Sequence, residues 1–230
     1  MLLLITNRCN GLLKPHAAKR YLCLGSAGLA LLLSLSGCLG QREIKLAGKT
    51  MGTTYHITLI GSYLTAAAPL QSAIDDRLAA INASMSTYHP DSEISRFNQM
   101  ATVDTPLPIG KDFQAVMQLC QKLFHITQGA WDGTLDPLID LWGFGRTKRP
   151  EKHVPSEEAI RTGLDAVGFR HIVLHPDGQL SKKKASVSLD LASVAKGYAV
   201  DVVADLIHQR GFDNYLVEIG GEVYAAGVRI

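Results

Sequence analysis

Three stretches of this chain combine residue types that could do chemistry. The first is Ser86-Thr87-Tyr88-His89-Pro90-Asp91-Ser92-Glu93-Ile94-Ser95-Arg96-Phe97-Asn98. An aromatic on such a loop can cover a flat ligand ring, because stacking is gained over either π-face, although simple packing competes with that role. The second runs from Gly129 through Ala130, Trp131 and Asp132 to Gly145, and holds the chain's two Trp and several acids in a Gly-rich setting. That composition suits a pocket wall, and equally a packed loop. The third runs from Ser188 to Asp201: Asp190 ends an expected strand, and Ser193 and Lys196 lie three apart on a first helical turn. A hydroxyl and an ammonium beside unpaired backbone N–H groups make a good place for phosphate. Taken alone, Ser193 reads as an ordinary N-cap and Lys196 as a solvated cation. No His/Cys pair at zinc spacing, no Gly-x-Ser-x-Gly and no Walker loop occurs.

The elements that must position these groups follow from periodicity. Residues 54–60 alternate Thr54, His56, Thr58 with Tyr55, Ile57, Leu59, which predicts a half-buried strand. Pro69 opens a helix whose Ile74, Leu78, Ile81 and Met85 form one apolar face, leaving Asp75, Asp76 and Arg77 as solvated charge. Residues 86–110 show little periodicity and read as a long loop. A second helix from about Asp112 puts Phe113, Val116, Met117, Cys120, Leu123 and Phe124 on one face and stops at Gly129. Cys120 on that face reads as a buried structural thiol. Gly143 to Pro155 is a basic surface connection with Arg146, Lys148, Arg149 and Lys152, and Ser156 caps a short helix reaching Val167. Strands are expected over 171–175, from Leu180 after the Pro176-Asp177-Gly178 turn, and over 187–191. Lys182-Lys183-Lys184 reads as an exposed edge kept soluble by charge. A helix over 194–210 ends at Gly211, and one or two strands fill 215–225. Strands and helices mix without a βαβ rhythm, so the fold class is α+β, with mixed sheets and packed helices.

Composition bounds the function. Of 230 residues, 47% are apolar and 19% charged, which excludes a disordered chain and a bundle of membrane spans. The formal charge is +2, from 23 basic and 21 acidic residues. Four of the basic residues (Arg8, Lys14, Lys19, Arg20) fall in residues 1–37 with no acid, so 19 basic face 21 acidic elsewhere, a net −2. A body so close to neutral carries no footprint for nucleic acid. After Arg20 comes an uncharged run, Tyr21 to Gly40, dense in Leu and Ala: the order of a secretory signal. It closes on Leu35-Ser36-Gly37-Cys38, which resembles the lipobox of bacterial lipoproteins. That resemblance implies cleavage before Cys38 and lipidation of its thiol, with a transmembrane anchor as the competing reading. Residues 1–37 are then a lipoprotein signal peptide, 38–48 a lipidated N-terminus and linker, and 49–230 the functional domain. Cys9 and Cys23 leave with the signal and Cys38 is consumed. Cys120 alone remains, and no internal disulfide can form.

Taken together, Met51-Gly52-Thr53, Ser86-Thr87-Tyr88 through Phe97-Asn98, Trp131-Asp132 with Leu141-Trp142-Gly143-Phe144-Gly145, Asp190 through Lys196-Gly197-Tyr198, and Gly220-Gly221-Glu222-Val223-Tyr224 resemble the ApbE family of flavin transferases, in that family's order. The resemblance spans about residues 46–227. It implies an ApbE-like fold and an enzyme that splits FAD at its pyrophosphate. FMN is then joined through a phosphoester to a threonine of an acceptor protein, AMP leaves, and Mg²⁺ is required. It implies flavin-carrying subunits of membrane electron-transfer complexes as acceptors. The lipid anchor would then hold the protein on the periplasmic side of the bacterial inner membrane, with the outer membrane as the alternative. Carried over by residue, Met51 and Tyr88 contact the flavin end, and Ala130, Trp131 and Asp132 line the FAD site. Asp190 and Lys196 bind the same ligand, and Ser193 matches a metal position. The family pattern continues past the Gly-Gly-Glu strand with a His-Ile-x-Asp-Pro segment and an Asp-x-x-x-Thr region that supplies most metal ligands. Neither stands in this sequence, so the domain is expected to be C-terminally incomplete and the chain weakly active or inactive. Two other functions compete: a non-catalytic FAD-binding lipoprotein, and an FAD pyrophosphatase releasing FMN and AMP.

Overall fold

The computed structural model of the protein describes residues 40–147 and 154–228. The expected signal peptide, Cys38, Lys148, Arg149 and Lys152 lie outside the described residues. Among the described residues, those of 43–61 and 65–228 form one compact unit, while residues 62–64 group with residues 40–42. Within that second unit the Tyr63 N–H donates to the Gly40 carbonyl at 3.2 Å.

Strand β1 (Gln41–Thr50) turns through Met51 and Gly52 into β2 (Thr53–Ser62). Both turn residues have positive φ, +48° and +73°, the two-residue hairpin geometry whose twist matches the flanking strands. Tyr55, Ile57 and Leu59 are buried as the alternation predicts. β1 occupies most of the stretch read as linker. Only Ile44 and Leu46 of it are buried, and two inward residues among charged ones do not register as a period.

Helix α1 (Ala67–Met85) buries the expected face, Ile74, Leu78, Ile81 and Met85. The expected loop over 86–110 is not all loop. It contains α2 (Glu93–Gln99) and the short strand β3 (Leu107–Pro108). The Ser92 hydroxyl caps α2 by accepting the Ser95 N–H at 3.1 Å, and Ile94 and Phe97 anchor it in the core. Two turns with two anchors are too short to show a helical period. Then follow α3 (Lys111–Ile126), α4 (Asp136–Leu141) and α5 (Glu157–Asp165), the last capped by the Ser156 hydroxyl on the Ala159 N–H at 3.2 Å. A 3₁₀ turn (Phe169–His171) leads to β4 (Ile172–Leu174), β5 (Gln179–Lys182), α6 (Ala192–Gln209), β6 (Tyr215–Ile219) and β7 (Glu222–Ala226).

Two sheets result, ordered β1-β2-β6-β7 and β3-β5-β4. β6 pairs antiparallel with β2 and β7, and β5 antiparallel with β3 and β4. Helix α6 packs on β6, β7 and α1, and α3 packs on α1 and α6. Tyr55, Ile57 and Leu59 of β2 join Ile74 and Ile81 of α1 and Ala199, Val203 and Ile207 of α6 in one core. The class is α+β, as expected.

Three readings are corrected. Residues 187–191 are not a strand. Their backbone groups are met by a side chain and by other loops: the Asn98 carboxamide accepts the Leu189 N–H at 2.7 Å and donates to the Leu189 carbonyl at 2.8 Å, and the Asp190 N–H donates to the Gly133 carbonyl at 3.0 Å. Lys182 is not an exposed edge lysine; it is 0% exposed. Nor is Arg77 merely solvated. It forms a bidentate pair with Asp112 at 2.6 and 2.5 Å, and the Tyr198 hydroxyl donates to the same carboxylate at 2.6 Å. Asp75 accepts the Tyr55 hydroxyl at 2.7 Å.

Candidate functional site

Four of the residues singled out in the sequence meet at one cavity of about 360 Å³, lined by Met51, Met85, Tyr88, Asp190, Ala195 and Lys196 among others. Each arrives for a local reason. Met51 sits in the β1–β2 turn with its backbone fixed at positive φ. Met85 is the last residue of α1. Tyr88 follows on a loop folded around Ser92, whose hydroxyl donates to the Ser86 carbonyl at 2.7 Å. The Tyr88 N–H is held by the Ser86 hydroxyl at 3.3 Å, and the residue stands 72% exposed. An aromatic ring left so exposed at the rim is open to a flat ligand.

Asp190 enters just ahead of α6. Its Oδ1 accepts the Ala192 N–H at 2.8 Å, so one first-turn amide expected to be unpaired already has a protein partner. The Ser193 amide remains unclaimed among the described residues, at the positive end of an 18-residue helix. Lys196, one turn in, makes no ion pair among the described residues. Its stem runs beside the β6–β7 turn: a Cβ on Gly220 would lie 3.3 Å from Lys196 Cδ and 2.7 Å from Thr53 Cγ2. With φ at +57°, Gly220 permits that close approach and the turn together. The cavity thus has an apolar, aromatic-rimmed part and an end that offers a cation and a helix N-terminus.

Ala130, Trp131, Asp132 and Ser193 do not line this cavity. Trp131 reaches the third stretch by donating its Nε1–H to the Ser193 hydroxyl at 3.2 Å, and its ring packs edge-on to Phe169 at 6.1 Å. Asp132 is occupied within the fold. Its Oδ1 accepts the Thr134 N–H at 2.8 Å and the Thr134 hydroxyl at 2.5 Å, and its Oδ2 accepts the Phe169 N–H at 3.0 Å. Ala130 lies exposed on the turn after α3.

Sequence reasoning missed Asp136, whose stretch was flagged but whose burial was not. It is 5% exposed, and burial pushes its carboxyl pKa up, while the Ser188 hydroxyl at 2.8 Å and the Arg146 guanidinium at 3.1 Å pull it back. Arg146 also touches the Thr87 carbonyl at 3.5 Å. The three stretches are therefore stitched pairwise: first to second by Arg146, second to third by Gly133–Asp190, first to third by Asn98–Leu189.

A magnesium ion asks for about six oxygens. Among the described residues no group of three His, Cys, Asp or Glu is arranged to hold a metal, and the Ser193 hydroxyl is engaged by Trp131. The described residues do not by themselves build a magnesium site.

Comparison with known proteins identifies the family. The ApbE family model matches residues 51–229. An FAD:protein FMN transferase from Haemophilus influenzae is 44% identical over 214 residues, covering 90% of this chain and 61% of the relative. One from Escherichia coli strain K12 is 34% identical over 186 residues, covering 80% and 52%. Among solved structures, flavin transferase ApbE from Vibrio cholerae superposes with a TM-score of 0.79 at 39% identity, covering 83% of this chain and 61% of that one. The Pseudomonas stutzeri flavinyl transferase ApbE, apo form, gives 0.77 at 34% identity, covering 84% and 63%. The chain spans between 52% and 61% of the length of the two sequence relatives.

Proposed function

This chain belongs to the ApbE family, and on that footing we propose that it binds FAD in the cavity described above and passes the FMN half to a threonine hydroxyl of an acceptor protein. The observation that carries this reading is the convergence of Met51, Tyr88, Asp190 and Lys196 on one cavity. These four come from three stretches far apart in sequence, and the resemblance matches each to an FAD-binding position.

The chain's own groups divide the work. Tyr88 covers the isoalloxazine at the rim, and Met51 and Met85 supply polarisable apolar contact to it. Lys196 and the N-terminus of α6, which enters the cavity at Ala192, face the pyrophosphate, where fixed positive charge offsets the charge that builds as the bond breaks. The threonine oxygen attacks the FMN-side phosphorus, the phosphorus–oxygen bond to AMP breaks, and the hydroxyl proton is lost. Transfer of this kind depends on alignment and charge neutralisation, so the nucleophile can come wholly from the acceptor. Magnesium, which the resemblance implies, would add charge at the same pyrophosphate. Ser193 is the one ligand the resemblance assigns to it here. The leader pattern ending at Cys38 supports a lipid-anchored protein on the periplasmic side of the inner membrane. Flavin-carrying subunits of membrane electron-transfer complexes are its proposed acceptors.

The test is to incubate the full chain with FAD, Mg²⁺ and an acceptor domain and to weigh the acceptor by intact-protein mass spectrometry. The expected result is a gain of one FMN less water on a small fraction of the acceptor, in keeping with the weak activity expected of this chain, and absent with Asp190→Ala. Free FMN and AMP with an unmodified acceptor would replace transfer by hydrolysis. FAD binding without AMP would leave a binding protein.

A further inference from the structure

Lys182, at the end of β5, is 0% exposed and has no carboxylate partner among the described residues. Its ammonium donates to the Val187 carbonyl at 3.0 Å and the Asn98 carbonyl at 3.2 Å, and it stands 5.3 Å from the centroid of the Phe97 ring. Burial lowers its pKa, the sign of a cation held at a desolvation cost. A methionine would fill the same space without that cost. What the ammonium adds is three donors, one spent on the nearby Val187 carbonyl, one on the Asn98 carbonyl 84 positions away, and the third direction closed by an aromatic face.

Those carbonyls bracket the span that delivers Asp190. The Asn98 carboxamide grips both backbone groups of Leu189, at 2.7 and 2.8 Å, while Lys182 holds the Asn98 and Val187 carbonyls on either side of that grip. On the far side the Asp190 N–H is fixed to the Gly133 carbonyl. The span has no sheet ladder of its own, so this clamp does the work of strand pairing. We infer that Lys182 is a positioning residue which, through Asn98 and residues 187–189, sets where the Asp190 carboxylate stands at the cavity. The inference rests on the reading of that cavity as the FAD site.

The experiment is an FAD titration by flavin fluorescence on the full chain, with wild type, Lys182→Met, Asp190→Ala and the double variant. Lys182→Met weakens FAD binding about tenfold in the wild-type background and has no further effect once Asp190 is gone, because the two act as one unit. A merely structural lysine would lower Tm while leaving the dissociation constant within about twofold, or would add its full effect in the Asp190→Ala background; either result overturns the inference. Should Lys182→Met fail to fold, Asn98→Ala, at a half-buried position, carries the same expectation. Failure of the wild-type chain to bind FAD would remove the cavity's ligand and both statements together. Wild-type binding with an indifferent Lys182→Met would overturn this one alone.

Discussion

Replacing Tyr88 by Ala separates a ligand-facing aromatic from a structural one. The residue is 72% exposed, and its hydroxyl makes no hydrogen bond among the described residues. Little apolar area is therefore returned to water on truncation, and folding should change by no more than about 0.5 kcal/mol. At this chain length that moves Tm by about 2 °C or less. Against a flavin ring the same truncation removes stacking worth about 1–2 kcal/mol, a rise in dissociation constant of about five- to thirtyfold. Tyr88→Phe keeps the ring and should bind as wild type does. The assay is flavin fluorescence quenching across an FAD titration, paired with a thermal melt of each variant. An unchanged dissociation constant for Tyr88→Ala would refute the argument. So would a Tm loss above about 5 °C, which would make the ring part of the fold.

Further tests concern the framework around the cavity. Asp112→Ala strands the half-buried Arg77 guanidinium and the Tyr198 hydroxyl; the expected cost is about 2 kcal/mol, or about 6 °C in Tm. Because the Arg77 hydrogen bonds hold the Asp112 carboxyl below the usual carboxylate range, that contribution is complete above about pH 4. It is lost as pH falls through the depressed native value, so a difference between wild type and variant that grew with acid would contradict the assignment. Burial pushes the Cys120 thiol up to about 12, so peptide mapping after alkylation of the native chain at pH 8 should find Cys120 unmodified. Labelling there as fast as in denaturant would show it accessible. Asp132→Ala releases the Thr134 and Phe169 amides and should cost about 2 kcal/mol; chemical denaturation finding the variant as stable as wild type would return Asp132 to a purely ligand-facing role.

The sequence by itself determined whatever depends on a local period or a local cap. The buried faces of α1 and α3, the alternation of β2, the Ser156 cap and the glycine stops at Gly129 and Gly211 are set within a few residues of chain, so the linear pattern carries them. The ordered motifs also marked Met51, Tyr88, Asp190 and Lys196, which the fold brings to one cavity. Only tertiary structure decided where long-range partners meet. Lys182 sits in a run of three lysines that composition makes a wet edge, yet its acceptors come from residues 98 and 187. Arg77 finds Asp112 across 35 positions, and Asn98 supplies Leu189 with the backbone pairing that a strand over 187–191 would have taken from a neighbouring strand. Burial follows from which surfaces pack together, and a polar side chain is kept inside when distant backbone groups satisfy it. That condition has no period, so it leaves no mark on the sequence around the residue.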